Sequence, residues 1–98
     1  MLEFDWYSKK ERQNVKKHGL DLETVKWIFD DPFRIVQYDD AHSGIEERWQ
    51  TLGMVNEVLF VVYAERGEKI RIISARKATP VERRIYYGTS KKGYWFIP

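Results

Sequence analysis

The sequence predicts an α+β fold, with N-terminal helices packed on an antiparallel sheet of four strands, or between three and five, and a helix near the C-terminal end. Three observations predict it. Two helical segments near the N-terminus are each cut off by a helix-stopping residue, Gly19 and Pro32. Four apolar runs then follow at spacings short enough for hairpins. After the last of those runs, "TPVE" at 79–82 reads as a helix start.

"LEFDWY" alternates apolar and acidic residues over its first positions, which suits a short first strand. Ser8 is expected to cap the first helix, and Gly19, just after His18, to supply its left-handed C-terminal residue. Inside this helix only Val15 is a clear aliphatic, so it should be mostly exposed and held by one edge. Asp21 then caps "LETVKWIFDD", where Leu22, Val25, Ile28 and Phe29 form a core stripe and Trp27 is expected to pack. Strands are expected over 33–39, 45–53, 57–66 and 68–76, joined by turns in "DDAHSG", "MVNE" and "RGE". "VLFVVY" is apolar on both faces and should be central, whereas 45–53 should keep one face wet. In "TPVE" the Thr79 hydroxyl and the Glu82 carboxylate can each accept from the other residue's backbone N–H, with Pro80 at the first helical position. The helix should run to about Tyr87 and stop near Gly88. Strict alternation along the strand before it puts Arg71 and Lys77 on the face of Ile73 and Ala75, and Arg76 on the face of Ile70, Ile72 and Ser74.

At 98 residues the chain can build one core and not two, so a single domain over 1–98 is expected, with 88–98 as an extended tail of no evident periodicity. Its 43% hydrophobic and 15% aromatic content lies far from the composition of disordered chains. No run approaches the ~18 apolar residues of a membrane span, and "MLEFDWYSKK" has no signal-peptide core, so a cytoplasmic protein without membrane contact is expected. Cysteine is absent from the sequence, which excludes disulfides, thiolate zinc sites and cysteine nucleophiles. With only His18 and His42 as imidazoles, neither a metal site nor a cofactor is expected. The net charge is only +2, but it is unevenly spread. Residues 8–18 carry five Lys or Arg against one Glu, 20–47 carry two basic residues against eight acids, and 66–92 carry nine basic residues against Glu68 and Glu82. Such segregation suits one positive face turned to nucleic acid, although charge that merely aids solubility gives the same pattern.

Histidine, lysine, arginine, tyrosine and carboxylates remain, and they suffice for cleavage of RNA by its own 2′-hydroxyl. That reaction needs a base for the hydroxyl, a cation for the crowded phosphorane and an acid for the departing 5′-oxygen. Arginine suits the second role, since its planar fork matches two phosphate oxygens and its charge is permanent. His18 in "KKHG" is the candidate acid or base, with helix-dipole capping as the competing structural role. Lys17 could bind phosphate or act as base, or be an ordinary solvated lysine. Arg48, read as mid-strand, is either catalytic or salt-bridged to Glu46 or to a neighbouring strand; Arg66 is either functional or turn charge. Arg76, between a strand and a capped helix, is the cation whose position the backbone should fix best, and Arg71, Lys77 and Arg83 are candidate RNA contacts around it. Glu47 either orients His18 or Arg48 or is a surface carboxylate, and His42 is expected to be exposed and idle. Trp6, Tyr7, Trp49 and Tyr86 are candidates for stacking on unpaired bases.

Three segments, "FDWYSKKERQNVKKHGLDLETVKWIFDDP", "EERWQTLG" and "VVYAERGEKIRIISARKATPVERRIY", occur in an order and spacing that resembles the BrnT family of type II toxins. The combination of "N..KHG", "ER...LG" and "RIISARKA...ER..Y" is specific where each piece alone would be weak. The resemblance implies a RelE- and ParE-like fold and a metal-independent ribonuclease that arrests growth by cutting RNA. It further implies neutralisation by a ribbon-helix-helix antitoxin, BrnA, in a complex, expected to be a heterotetramer, that binds operator DNA. Carried over to this chain, it marks Lys17, His18, Arg48, Arg66 and Arg76 as catalytic candidates. The chain departs from the family pattern at Tyr7, where an Asp is usual, at Ala64, where a Thr is common, and in the tail past the last helix. An alternative expectation is a non-catalytic module of the same fold that binds nucleic acid or blocks a protein target.

Overall fold

A computed structural model describes residues 3–89. In chain order it contains β1 (Glu3–Asp5), α1 (Ser8–His18), α2 (Leu22–Val25) running into a 3-10 turn (Lys26–Asp30), β2 (Ile35–Tyr38), β3 (Trp49–Val55), β4 (Glu57–Arg66), β5 (Lys69–Lys77) and α3 (Pro80–Thr89). Strands β2 to β5 form the expected antiparallel meander, and β4 is central in the order β1-β5-β4-β3-β2. The first strand joins the same sheet, but parallel to β5, so the sheet is mixed. Because β1 covers only Lys69–Arg71, the rest of that β5 edge is left to α1, which packs along it. An 11-residue helix is about 16 Å long, enough to carry its last turn toward the C-terminal end of β5.

The two faces of the sheet are packed differently. On one face Leu22, Val25 and Ile28 are buried against Leu59, Val61, Ile72 and Ala75. On the other, α3 places Tyr86 over Ile35, Leu52, Val58 and Ala78. The 3-10 turn lies so close to β3 that a Cβ on Gly53 would fall 2.8 Å from the Ile28 Cβ, which is why glycine occupies that position. Asp31 ties the layers together: its Oδ2 accepts from Met54 N–H at 2.8 Å and from the Tyr86 hydroxyl at 2.5 Å, and its Oδ1 accepts from Phe33 N–H at 2.8 Å. Burial pushes the Tyr86 phenol up, and its bond to the Asp31 carboxylate pushes it further.

Several sequence expectations change. Ser8 is the first helical residue of α1 and makes no side-chain cap, because the chain enters the helix through an extended Tyr7. Val15 is exposed, and Asn14 takes the inward position. Trp27 stands 54% exposed because the tighter 3-10 turn swings it away from the stripe. Tyr86 is only 4% exposed and spends its hydroxyl on Asp31, so it is not available for base stacking. Strand β3 begins at Trp49, which leaves Arg48 in the preceding loop and not mid-strand. There, the Arg48 N–H donates to Ser43 Oγ at 2.9 Å and its carbonyl accepts from Asp39 N–H at 2.9 Å, holding the loop closed.

The largest correction concerns β5. Val62 pairs with Ser74 but Tyr63 pairs with Ile72, so Ile73 is an extra residue in the ladder. Beyond it the alternation changes phase. Ala75 therefore joins Ile72 in the core, and Arg76 turns to the opposite face, beside Phe60. The expectation that Arg76 shares a face with Ile72 is thus wrong, and the bulge is the reason. The expected tail over 88–98 lies, from residue 90 onward, outside the described residues.

Candidate functional site

Arg76 is fixed from three directions. Its Nη1 donates to Glu82 Oε1 at 2.7 Å and its Nη2 to Glu82 Oε2 at 2.9 Å, a two-pronged ion pair. Nη1 also reaches the Lys77 carbonyl at 3.2 Å, and the guanidinium carbon lies 4.1 Å from the centroid of the Phe60 ring. Glu82 is held in turn by the motif read from "TPVE": Glu82 Oε1 accepts from Thr79 N–H at 2.9 Å, and Glu82 N–H donates to Thr79 Oγ1 at 3.2 Å. Burial alone would push the Glu82 carboxyl up. The hydrogen bonds from Arg76 and from the Thr79 backbone outweigh it and hold the group below the usual carboxylate range.

The last turn of α1 supplies the facing side chains. Gly19 at φ 65° ends the helix, its N–H returning to the carbonyls of Asn14 and Val15, and this leaves Lys17 and His18 in the final turn. Both line an open depression of about 420 Å³ with Arg76, Lys77, Ala78 and Thr79. A contiguous pocket of about 200 Å³ adds Lys10, Gln13, Asn14, Phe60 and Ser74 to Lys17, His18 and Arg76. Asn14 is 7% exposed, and its Nδ2 has no acceptor among the described residues, a buried donor that is costly to leave unmade by about 1–3 kcal/mol. The junction thus unites cations, an imidazole and an aromatic floor drawn from α1, β4, β5 and α3.

The other candidates are distributed as follows. Lys77 borders the depression, 3.7 Å from Glu57, and Arg83 donates to the Ala78 carbonyl at 3.1 Å in the first turn of α3. Arg66 pairs with Lys69 at the far end of the β4–β5 hairpin, six positions past Phe60, or roughly 20 Å along the strand. Its Nη2 lies 2.5 Å from Glu46 Oε2, so Glu46 serves Arg66 and not Arg48. The Arg48 Nε is buried without an acceptor among the described residues. Arg71 is bound by Asp5 through Nε at 3.0 Å and Nη2 at 3.1 Å, and Nη1 donates to the Tyr7 hydroxyl at 2.8 Å. Those bonds to Arg71 hold the Asp5 carboxyl below its ordinary range. His42 is exposed as expected, but its Nδ1 lies 3.1 Å from the buried Asp39. Of the stacking candidates, Trp6 is partly buried and donates to Glu11 at 3.0 Å, Trp49 meets Tyr38 edge-on, and Tyr7 is 60% exposed.

Sequence reasoning missed Phe60 beneath the guanidinium and Lys10 beside it, and it saw Glu82 only as a cap. The spacing Arg76–x5–Glu82 across a strand-to-helix junction carries the signal for the ion pair. Among the described residues no group of three or more His, Cys, Asp or Glu side chains could hold a metal ion. No described helix is long and apolar enough to cross a membrane. A separate groove of about 740 Å³, lined by Trp27, Phe33, Met54, Tyr87 and their neighbours, has no Lys, Arg or His in its lining.

A small α+β fold with its cations gathered at one strand-to-helix junction is consistent with a toxin that acts on RNA. The family comparison makes the assignment specific. Residues 6–82 match the family described as the ribonuclease toxin, BrnT, of type II toxin–antitoxin systems, and the chain belongs to that family. No curated protein matches it. Family membership brings with it an RNA target and an antitoxin partner.

Proposed function

We propose that this chain is a metal-independent endoribonuclease that acts in the cytoplasm, cutting RNA through attack of its own 2′-hydroxyl at the junction of β5, α3 and α1. One observation carries the reading: Lys17, His18 and Arg76, distant in sequence and contributed by two elements, line one open depression. In this mechanism the Arg76 guanidinium takes the negative charge that gathers on the non-bridging phosphate oxygens in the transition state. His18 transfers a proton, either taking it from the 2′-hydroxyl or giving it to the 5′-oxygen. Lys17 lowers the cost of bringing the polyanion to the pocket and offsets charge on the pentacovalent phosphorus. Lys77 and Arg83, at the same end of the molecule, bind flanking phosphates. Arg48, Arg66 and Arg71 lie elsewhere and do not meet the scissile phosphate in this reading. A BrnA-like ribbon-helix-helix antitoxin neutralises the toxin, in a heterotetramer that binds operator DNA; the family match supports an antitoxin, and the finer description rests on the resemblance.

The test is incubation of the purified protein with mixed single-stranded RNA in excess EDTA, beside Arg76→Ala, with mapping of new RNA ends. Cleavage by the wild type and its loss in the variant are expected. A second reading, a non-catalytic nucleic-acid-binding module, draws on the ion pair that already occupies one edge of Arg76. It predicts salt-dependent RNA binding and no new ends from folded protein.

A further inference from the structure

The Arg76 guanidinium has two edges that can each grip a pair of oxygens. Glu82 occupies the edge formed by Nη1 and Nη2, at 2.7 and 2.9 Å. The second edge, Nε with the remaining hydrogen of Nη2, has no acceptor among the described residues. Rotation of the plane is further limited by Phe60 beneath it at 4.1 Å and by the Lys77 carbonyl. The carboxylate is itself immobilised, since Glu82 Oε1 also accepts from Thr79 N–H and the side chain is only 15% exposed. One acidic side chain therefore closes the N-terminal turn of α3 and locks the direction of a guanidinium.

From this we infer that Glu82 is a positioning residue for RNA cleavage: it holds Arg76 so that its Nε–Nη2 edge receives two oxygens of the scissile phosphate. The inference rests on the proposed role of Arg76. Glu82 itself never touches the substrate. It removes the rotamer freedom that a long arginine otherwise loses on binding, and it keeps the cation in the geometry the transition state requires. A capping role alone would be filled equally by glutamine, which satisfies the same reciprocal backbone bonds but offers one oxygen and no charge to the guanidinium.

Glu82→Gln separates the two roles. With single-stranded RNA in EDTA, kcat is expected to fall about 10²-fold, as for a misplaced catalytic group, with KM little changed and the melting temperature lowered only by the loss of the ion pair, the helix cap being kept. Arg76→Ala should lose at least as much, and adding Glu82→Gln to it should cost nothing further, because the positioned group is already gone. Wild-type cleavage by Glu82→Gln, with Arg76→Ala inactive, would overturn the inference and leave the site standing. A further loss in the double variant would also overturn it, since Glu82 would then act other than through Arg76. Wild-type cleavage by Arg76→Ala would remove the site on which the inference rests. Side-chain NMR of the Arg76 guanidinium decides the matter without turnover: slow guanidinium rotation in the wild type, released in Glu82→Gln, is expected, and equal rotation in both would overturn it.

Discussion

Two arginines on β5 show how one local pattern gives opposite outcomes. Arg71 and Arg76 each pair with a carboxylate through two nitrogens, and each lies over an aromatic ring, Tyr7 at 4.9 Å and Phe60 at 4.1 Å. Arg71 faces β1, where Asp5 is its direct ladder partner, and its remaining nitrogen is taken by the Tyr7 hydroxyl. It is 20% exposed and chemically spent. Arg76 lies where β1 has ended, is 36% exposed, has no acceptor on its Nε among the described residues, and lines one depression with Lys17 and His18. Position relative to the covered strand edge, not residue type, separates an arginine that holds the fold from one that can hold a substrate.

The largest effect that would break this comparison is on cleavage. Arg76→Ala should lower the cleavage rate by about 10²–10³, the range for losing one charge-stabilising donor, while Arg71→Ala should cleave normally and melt at a lower temperature. Equal rates in the two variants, measured on the same RNA, would erase the distinction. His18→Ala should cost about 10²–10⁴ in rate without altering the melting curve, as removal of a proton-transfer group does. A changed melting temperature at unchanged rate would return His18 to helix capping.

A smaller effect sharpens the comparison by acidity. Asp5 and Glu82 both have lowered folded values, so each contributes stability that is fully present above its unfolded value, near 3.9 and 4.3, and is lost as the pH falls through the folded value. Acid melts should therefore destabilise both pairs in the range below about pH 4, and Asp5→Asn and Glu82→Gln should each flatten their own share of that slope. An unchanged slope in either variant would show that its pair does not form in solution. The smallest effect is Thr79→Ala, which should cost about 1 kcal/mol in chemical denaturation through the lost cap, with cleavage reduced only as far as Glu82 drifts.

Much of this was legible in the residues. The helix stops at Gly19 and Pro32, the meander and the Thr79–Glu82 box all follow from local chemistry that the fold leaves in place. What the sequence hid is tertiary. The parallel docking of β1 depends on which strand edge is vacant, and a three-residue strand carries no signal of its own orientation. Trp27 looked like core because its neighbours have helical period, yet the 3-10 turn changes that period locally. Arg71 read as an RNA contact around Arg76 because its partner Asp5 lies 66 positions away, whereas Glu82 lies only six from Arg76.

The extra residue at Ile73 has a further consequence for how this strand can vary. Deleting Ile73 would restore strict alternation while keeping Ser74 opposite Val62, Ala75 opposite Val61 and Arg76 opposite Phe60, so the arginine would stay on its present side. A length change of one residue in β5 is therefore absorbed at position 73. Homologous chains that lack the extra residue should still carry the arginine beside the position of Phe60.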